Sequence, residues 1–164
     1  MSTRVGLGYD VHAFGGDGPL VLGGVSIEGR GLLGHSDADV VAHAVADAIL
    51  GPAGLPDLGA LFPDDDERYR GASSISLLRE VAAKVAGTGW WVANVDVVVA
   101  AEQPRLAPHL DPMAAKLADA LSPAREPSGA GVHVSVKPKR GEGVGAVGRA
   151  EGIAVWAVAL LDRA

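Results

Sequence analysis

Cysteine is absent from the 164 residues. That removes disulfides, thiolate metal sites and cysteine nucleophiles at once, and it fits a reducing compartment. A long hydrophobic run is also missing. The longest, Ile153 to Leu161, falls far short of the ~18 residues that cross a bilayer. The opening residues Met1-Ser2-Thr3-Arg4-Val5-Gly6 lack the apolar stretch that directs export. The expectation is a cytoplasmic protein with no membrane contact. Positive charge is in deficit: 14 Lys plus Arg face 20 Asp plus Glu, a net charge of −6, which disfavours a nucleic-acid partner. Glycine, by contrast, is abundant at 23 residues, about twice the usual share of ~7%. The glycines lie between well-patterned segments, so they imply tight turns and close backbone approaches. The length fits one domain, residues 1–164, able to bury about two thirds of its unfolded surface without staples.

The pattern along the chain predicts an α+β fold. Val5 to Val11 is a short strand. Leu20-Val21-Leu22 and Val25-Ser26-Ile27 flank Gly23-Gly24 as a hairpin. Asp37 to Leu50 reads as a helix with Ala38, Val41, Val45, Ala48 and Ile49 on one stripe, capped by Ser36 or Asp37 and stopped by Gly51-Pro52. Residues 51–72 read as a long loop rich in Gly, Pro and Asp. A second helix is expected over Ser74 to Ala86, a strand over Val92 to Ala101 and a third helix over Pro108 to Leu121. A half-buried strand through Val132, Val134 and Val136 precedes a charged glycine loop, Pro138 to Gly148. A last helix is expected over Glu151 to Arg163, apolar on most of its surface. Few strands and several helices suggest a two-layer sandwich: a mixed sheet covered on one face by helices. The other sheet face and the apolar last helix then call for burial against further copies. The expectation is association with further copies, the sheets facing inward.

Asp10 and His12 stand two apart on a strand, so both side chains share one face about 7 Å apart along the backbone. His43 lies within the first long helix, with Asp39 at i−4 and Asp47 at i+4. A strand-borne carboxylate and imidazole plus a helix-borne imidazole would leave a bound Zn²⁺ one open position, the catalytic pattern. Asp39 or Asp47 could accept from an imidazole N–H. Asp-x-His is nonetheless common, and a helical His is often only a hydrogen-bonded partner; spacing leaves both readings open. Gly34-His35-Ser36-Asp37 at a helix mouth offers either a phosphate-binding end or a simple cap. Asp64-Asp65-Asp66-Glu67 reads as a solvated turn or a cation-approaching loop. Lys137 to Gly145 combines three cations, one carboxylate and several glycines, which suits either a polyphosphate with a bridging divalent ion or a flexible basic tip.

Taken together, these motifs resemble the 2-C-methyl-D-erythritol 2,4-cyclodiphosphate synthase family. The resemblance is carried by Gly8-Tyr9-Asp10-Val11-His12-Ala13-Phe14, Leu22-Gly23-Gly24-Val25, and Gly34-His35-Ser36-Asp37-Ala38-Asp39-Val40 with His43 and Asp47. It continues through Asp57-Leu58-Gly59, Phe62-Pro63-Asp64, Asn94-Val95-Asp96, Pro104-Arg105-Leu106 and Gly148-Arg149-Ala150-Glu151-Gly152-Ile153. It spans Val5 to Leu161, nearly the whole chain.

The resemblance implies a phosphorus–oxygen lyase of the non-mevalonate route to isoprenoids. The 2-phosphate of 4-diphosphocytidyl-2-C-methyl-D-erythritol 2-phosphate attacks the β-phosphorus and CMP leaves. Active sites would lie between the subunits of a homotrimer. Asp10, His12 and His43 would bind Zn²⁺, and Glu142 would help hold Mg²⁺ or Mn²⁺ on the diphosphate. His35 and Ser36 would contact phosphates, His35 with a catalytic role, and Asp57, Leu58 and Gly59 would meet the erythritol with Phe62, Asp64 and Asp66 nearby. Ala101, Pro104, Arg105, Leu106 and Ala107 would cradle cytosine. Lys139, Arg140, Ala146 and Arg149 complete the implied substrate surface.

Three departures stand out. Lys139-Arg140-Gly141 replaces threonines before Glu142, so a catalytic contact of Arg140 with phosphate is expected in place of a hydroxyl. Ala146 replaces an aromatic near the three-fold axis, and Arg105 replaces a lysine. The rival readings are a metal-dependent nucleotide phosphodiesterase and a non-catalytic metal- and nucleotide-binding module.

Overall fold

The computed structural model describes residues 2–163. Five strands form one mixed sheet: β1 (Ser2–Leu22), β2 (Val25–Leu32), β3 (Trp91–Ala100), β4 (His133–Lys139) and β5 (Gly152–Arg163), in the spatial order β2-β1-β5-β3-β4. Only the β3–β4 pair is parallel. The helices α1 (Val40–Ala53), α3 (Ser74–Gly87) and α4 (Leu110–Ala120) cover one sheet face, and the short helices α2 (Leu58–Leu61) and α5 (Gly145–Gly148) lie in connections. This is the expected two-layer α+β sandwich.

β1 is far longer than its sequence signal. It pairs with β5 from Ser2 to Ala13 and then with β2 from Phe14 to Leu22. Irregularities between Phe14 and Leu20 accommodate Pro19, which has no N–H for the ladder. The hairpin is as expected: Gly23 and Gly24 take φ of +55° and +73°, the left-handed pair that a two-residue turn needs.

The last element corrects the sequence reading. Residues 152–163 form not a helix but the central strand β5, between β1 and β3. Val155, Ala157, Ala159 and Leu161 are buried under the helices, whereas Trp156 and Val158 stand 42% and 44% exposed on the opposite face. Both faces are apolar, so the alternation is hidden in the letters. The β-branched and aromatic content, bounded by Gly152, is what favours the strand.

The uncovered face is apolar in the middle. Val5, Leu7, Tyr9 and Val11 of β1 are at least half exposed there, opposite Leu160, Val158, Trp156 and Ala154 of β5. The Tyr9 and Trp156 rings meet at 5.2 Å. The apolar surface that calls for burial against further copies is therefore this sheet face, not a helix.

α1 also departs from its expected limits. Its cap is Asp39, not Ser36 or Asp37, and it runs through Gly51-Pro52 to end at Gly54 (φ +77°). Pro52 falls in the last turn, so it removes one intrahelical bond, to the Ala48 carbonyl, with little helix beyond it to disturb. The Ala48 carbonyl that Pro52 leaves without an N–H packs against Gly6. The expected loop 51–72 carries α2 and a 3₁₀ turn, Glu67–Tyr69.

Asp39 is fully buried and welds the cap to the hairpin. Its carboxylate accepts from Val41 N and Ala42 N (both 3.1 Å), Gly23 N (2.8 Å) and Gly24 N (2.6 Å). Burial pushes this carboxyl upward, against the amides of Ala42, Gly24 and Gly23. Asp39→Ala removes the cap and strands buried amides, so it should cost about 2–4 kcal/mol. A urea titration should show a lower midpoint at unchanged slope; a parent-like midpoint would contradict the role.

Candidate metal centre and active site

Alternation on β1 sends Gly6, Gly8, Asp10 and His12 toward the helices, and α1 brings His43 down onto them. The close approach depends on glycine. A Cβ at Gly8 would lie 1.9 Å from the Ala44 carbonyl oxygen, and one at Gly6 would lie 2.0 Å from that of Ala48. With α1 seated this low, His43 Nδ1 lies 3.1 Å and His12 Nε2 2.9 Å from the same oxygen, Asp10 Oδ2. The three ligand atoms lie within 4.8 Å of one another.

The proton count at this point demands a cation. His12 Nδ1 lies 2.6 Å from the Leu33 carbonyl oxygen, which can only accept, so Nδ1 carries the proton. His12 Nε2 then faces the Asp10 carboxylate with a lone pair, unless a proton or a metal ion lies there. Burial alone would raise the Asp10 carboxyl, but hydrogen bonds and charge from His12 and His43 hold it well below the usual carboxylate range. Burial likewise opposes charge on His12, yet the bonds to Asp10 and Leu33 and the charges of Asp10 and Asp39 raise its pKa above 6.5. Two imidazoles and a carboxylate, half-buried and mutually aimed, fit a divalent metal ion.

The imidazole acceptors are not those the helix face suggested. Asp39 is spent on the cap, and Asp47 accepts from Leu58 N at 2.8 Å, anchoring α2. Burial pushes the Asp47 carboxyl up, against that amide. The acceptors are instead the Leu33 carbonyl and, for His43 Nε2, the Ser74 hydroxyl at 2.9 Å. A backbone oxygen has no residue-type signature, and Ser74 is 31 residues from His43, so neither was readable from the sequence.

A cavity of about 450 Å³ opens beside the three ligands. His35, Ser36, Leu58, Gly59, Phe62 and Asp64, all expected at the site, line it, together with Asp47 and Tyr69. His35 Nε2 donates to the Asp66 carbonyl (3.0 Å), which ties the 34–37 segment to the acidic loop. The Asp66 side chain caps the 3₁₀ turn and pairs with Arg68. Asp57 caps α2 through Ala60 N.

A second cavity, about 480 Å³, gathers Ala101, Pro104, Arg105, Leu106, Ala107, Lys139 and Arg140 with Glu102 and Pro138. It shares no lining residue with the first. Here the expectation for Arg140 meets an unforeseen partner. Its guanidinium pairs with Glu102, whose carboxylate also accepts from Gly141 N and Glu142 N at 3.1 Å each. That pair engages the Nε and one terminal nitrogen of the side chain that the sequence reading directs at phosphate. Glu142 and Ala146 are exposed on the loop beyond, and Arg149 pairs with Glu151. Within one chain, none of these lines the cavity beside the Asp10–His12–His43 cluster.

A family model, the YgbB family, matches residues 3–162. The chain belongs to the YgbB family. One relative is the bifunctional enzyme IspD/IspF of Anaeromyxobacter dehalogenans, 58% identical over 164 residues, which cover 99% of this chain and 40% of that protein. Another is the 2-C-methyl-D-erythritol 2,4-cyclodiphosphate synthase of Bordetella avium, 52% identical over 161 residues, covering 98% of this chain and 96% of that one. Among solved structures, the IspF of Plasmodium falciparum in complex with CDP matches with a TM-score of 0.79 at 30% identity, over 98% of this chain and 96% of that one. This YgbB-family chain therefore spans about 40% of the bifunctional relative's length and nearly all of the single-activity ones. The resemblance read from the motifs is borne out, and the synthase names favour that reading over the hydrolase and the non-catalytic module. Among the described residues, no helix is long and apolar enough to cross a membrane.

Proposed function

We propose that this chain catalyses the cyclodiphosphate synthase reaction, converting 4-diphosphocytidyl-2-C-methyl-D-erythritol 2-phosphate to the 2,4-cyclodiphosphate and CMP in isoprenoid biosynthesis. The carrying observation is the convergence of Asp10, His12 and His43 on one point at the edge of a cavity lined by His35 and Ser36.

The donor set suits Zn²⁺, and a bound ion would supply Lewis-acid polarisation of a phosphate oxygen. Glu142, exposed on its loop, would hold a Mg²⁺ or Mn²⁺ ion that arrives with the diphosphate. The remaining work is positional. Nucleophile and electrophile belong to one molecule, so no water has to be activated; the substrate must be folded until the 2-phosphate oxygen faces the β-phosphorus. The His35 imidazole and the Ser36 hydroxyl offer hydrogen bonds to phosphate oxygens. Asp57, Leu58 and Gly59 present a carboxylate and backbone groups to the erythritol hydroxyls. The 101–107 segment, with Arg105 at its mouth, would take the cytidine end. As the new P–O bond forms, the bond from the β-phosphorus to the bridging oxygen breaks, and CMP leaves with the electron pair. Arg140 would reach the phosphates on release from Glu102.

CMP release should fall to background after chelator dialysis and return with Zn²⁺ plus Mg²⁺ or Mn²⁺. Full turnover by rigorously metal-free protein would sink the proposal.

The division of the site into two cavities supports a shared arrangement. One copy supplies the metal cluster, its neighbour the 101–107 and 139–142 segments, and the apolar sheet faces pack together in a homotrimer. Separately inactive His43→Ala and Glu142→Ala chains, co-expressed in equal amounts, should then recover about a quarter of parental activity, the share of sites intact under random assembly. No recovery, or a fully active monomer in sedimentation, would contradict the shared site.

A further inference from the structure

The buried side of His43 ends in a chain of hydrogen bonds whose direction can be read from proton counting. Ser74 is 1% exposed. Its hydroxyl lies 2.5 Å from Asp37 Oδ1 and 2.9 Å from His43 Nε2, with Ser36 Oγ at 3.2 Å. A carboxylate accepts and a serine has one proton to give. The short contact to Asp37 takes that proton. Ser74 Oγ is left with lone pairs toward His43, so Nε2 donates there, at 2.9 Å, with Ser36 Oγ as a second and longer neighbour at 3.3 Å whose own proton can go to Ser74 Oγ. The neutral ring then carries its lone pair on Nδ1, the atom 3.1 Å from Asp10 Oδ2.

We infer that Asp37 and Ser74 are positioning residues that fix His43 as its Nε2–H tautomer and so aim Nδ1 at a metal ion shared with Asp10 and His12. The inference rests on the reading of that cluster as a metal centre. Neither residue touches the ion or the substrate; both act through His43. A purely structural role is separable from this one. Asp37 Oδ2 also accepts from Ser74 N at 3.1 Å, at the start of α3. Ser74→Ala keeps that backbone contact and deletes only the hydroxyl. Asp37→Asn cuts deeper. With its amide nitrogen toward Ser74 Oγ, the asparagine donates where the carboxylate accepted, so the serine proton turns to His43 Nε2 and the imidazole proton moves to Nδ1, where it competes with the metal. The opposite flip sets the amide nitrogen against the Ser74 N–H.

The test is zinc affinity of the whole chain, measured by chelator competition, beside ¹⁵N-histidine spectra of the zinc-loaded protein. The parent should take up one zinc per chain, and His12→Ala should lose it. Ser74→Ala should bind zinc about 10- to 100-fold more weakly, and Asp37→Asn at least as weakly. The metal-free melting temperature of Ser74→Ala should stay near the parent's. In the parent spectrum the His43 proton should sit on Nε2, protected from exchange; in Ser74→Ala, where Ser36 Oγ at 3.3 Å is the remaining acceptor, that protection should fall. Zinc uptake at parental strength by both variants, or a parental His43 proton on Nδ1, overturns the inference alone. A parent that takes up no His12-dependent zinc overturns the metal centre itself, and the inference with it.

Discussion

His43→Ala should empty the Asp10–His12–His43 centre of metal and lower turnover by about a thousand-fold or more, some 4 kcal/mol of transition-state stabilisation. The fold should survive, because α1 is held by Val41, Val45, Ala48 and Ile49, all buried, and His43 instead borders the cavity. Ser74 keeps its bond to Asp37 after the imidazole is gone. Metal content, circular dichroism and CMP release measured on one preparation separate the effects; a folded variant with a tenth of parental turnover would refute a catalytic metal there. The same centre sets a pH limit. A metal ion needs neutral imidazole, and the pKa of His12 is raised by Asp10, so protons begin to displace the ion above the ordinary histidine value of ~6.5. Affinity should be flat at higher pH and fall by up to about tenfold per pH unit as His12 takes up its proton. Asp10 stays ionised throughout this window, its carboxyl being held well below the usual range.

Gly8→Ala should destabilise the fold and the metal centre together. The new Cβ would lie 1.9 Å from the Ala44 carbonyl oxygen and 2.7 Å from Ala48 N, both backbone atoms of a buried helix that no rotamer change can clear. α1 must lift off β1. We expect a loss of about 3 kcal/mol, the upper part of the overpacking range, and a melting point lower by roughly 10 °C. The centre should fail with it, since Ala44 neighbours His43 and Gly8 is two residues from Asp10. Zinc affinity should therefore drop even where the variant remains folded. A parental melting point would show that α1 does not depend on that contact.

The expected fold was legible wherever one face of an element is polar. β3 shows Val95, Val97 and Val99 against Asn94 and Asp96, and α3 shows Leu78, Val81, Ala82 and Val85 against Arg79 and Lys84; both were read nearly to their ends. β5 is apolar on both faces, one against the helices and one on the open sheet face, which removes the contrast that marks a period of two and makes the segment resemble a helix in sequence. The cap of α1 was misplaced because Ser36, Asp37 and Asp39 are all capable caps, and only the turn at Gly23-Gly24 selects Asp39. Of the site, Asp10, His12 and His43 followed from strand alternation and the family resemblance. Leu33, Ser74 and Glu102 did not. The first acts through its carbonyl, while the other two meet their partners 31 and 38 residues away in sequence.

The central claim is ring closure, and phosphorus NMR of the product reads it directly. Incubated with 4-diphosphocytidyl-2-C-methyl-D-erythritol 2-phosphate and its metals, the chain should yield CMP and two coupled resonances of a cyclic diphosphate, with no free phosphate. Linear phosphates beside the nucleotide, or an unchanged substrate, would contradict it.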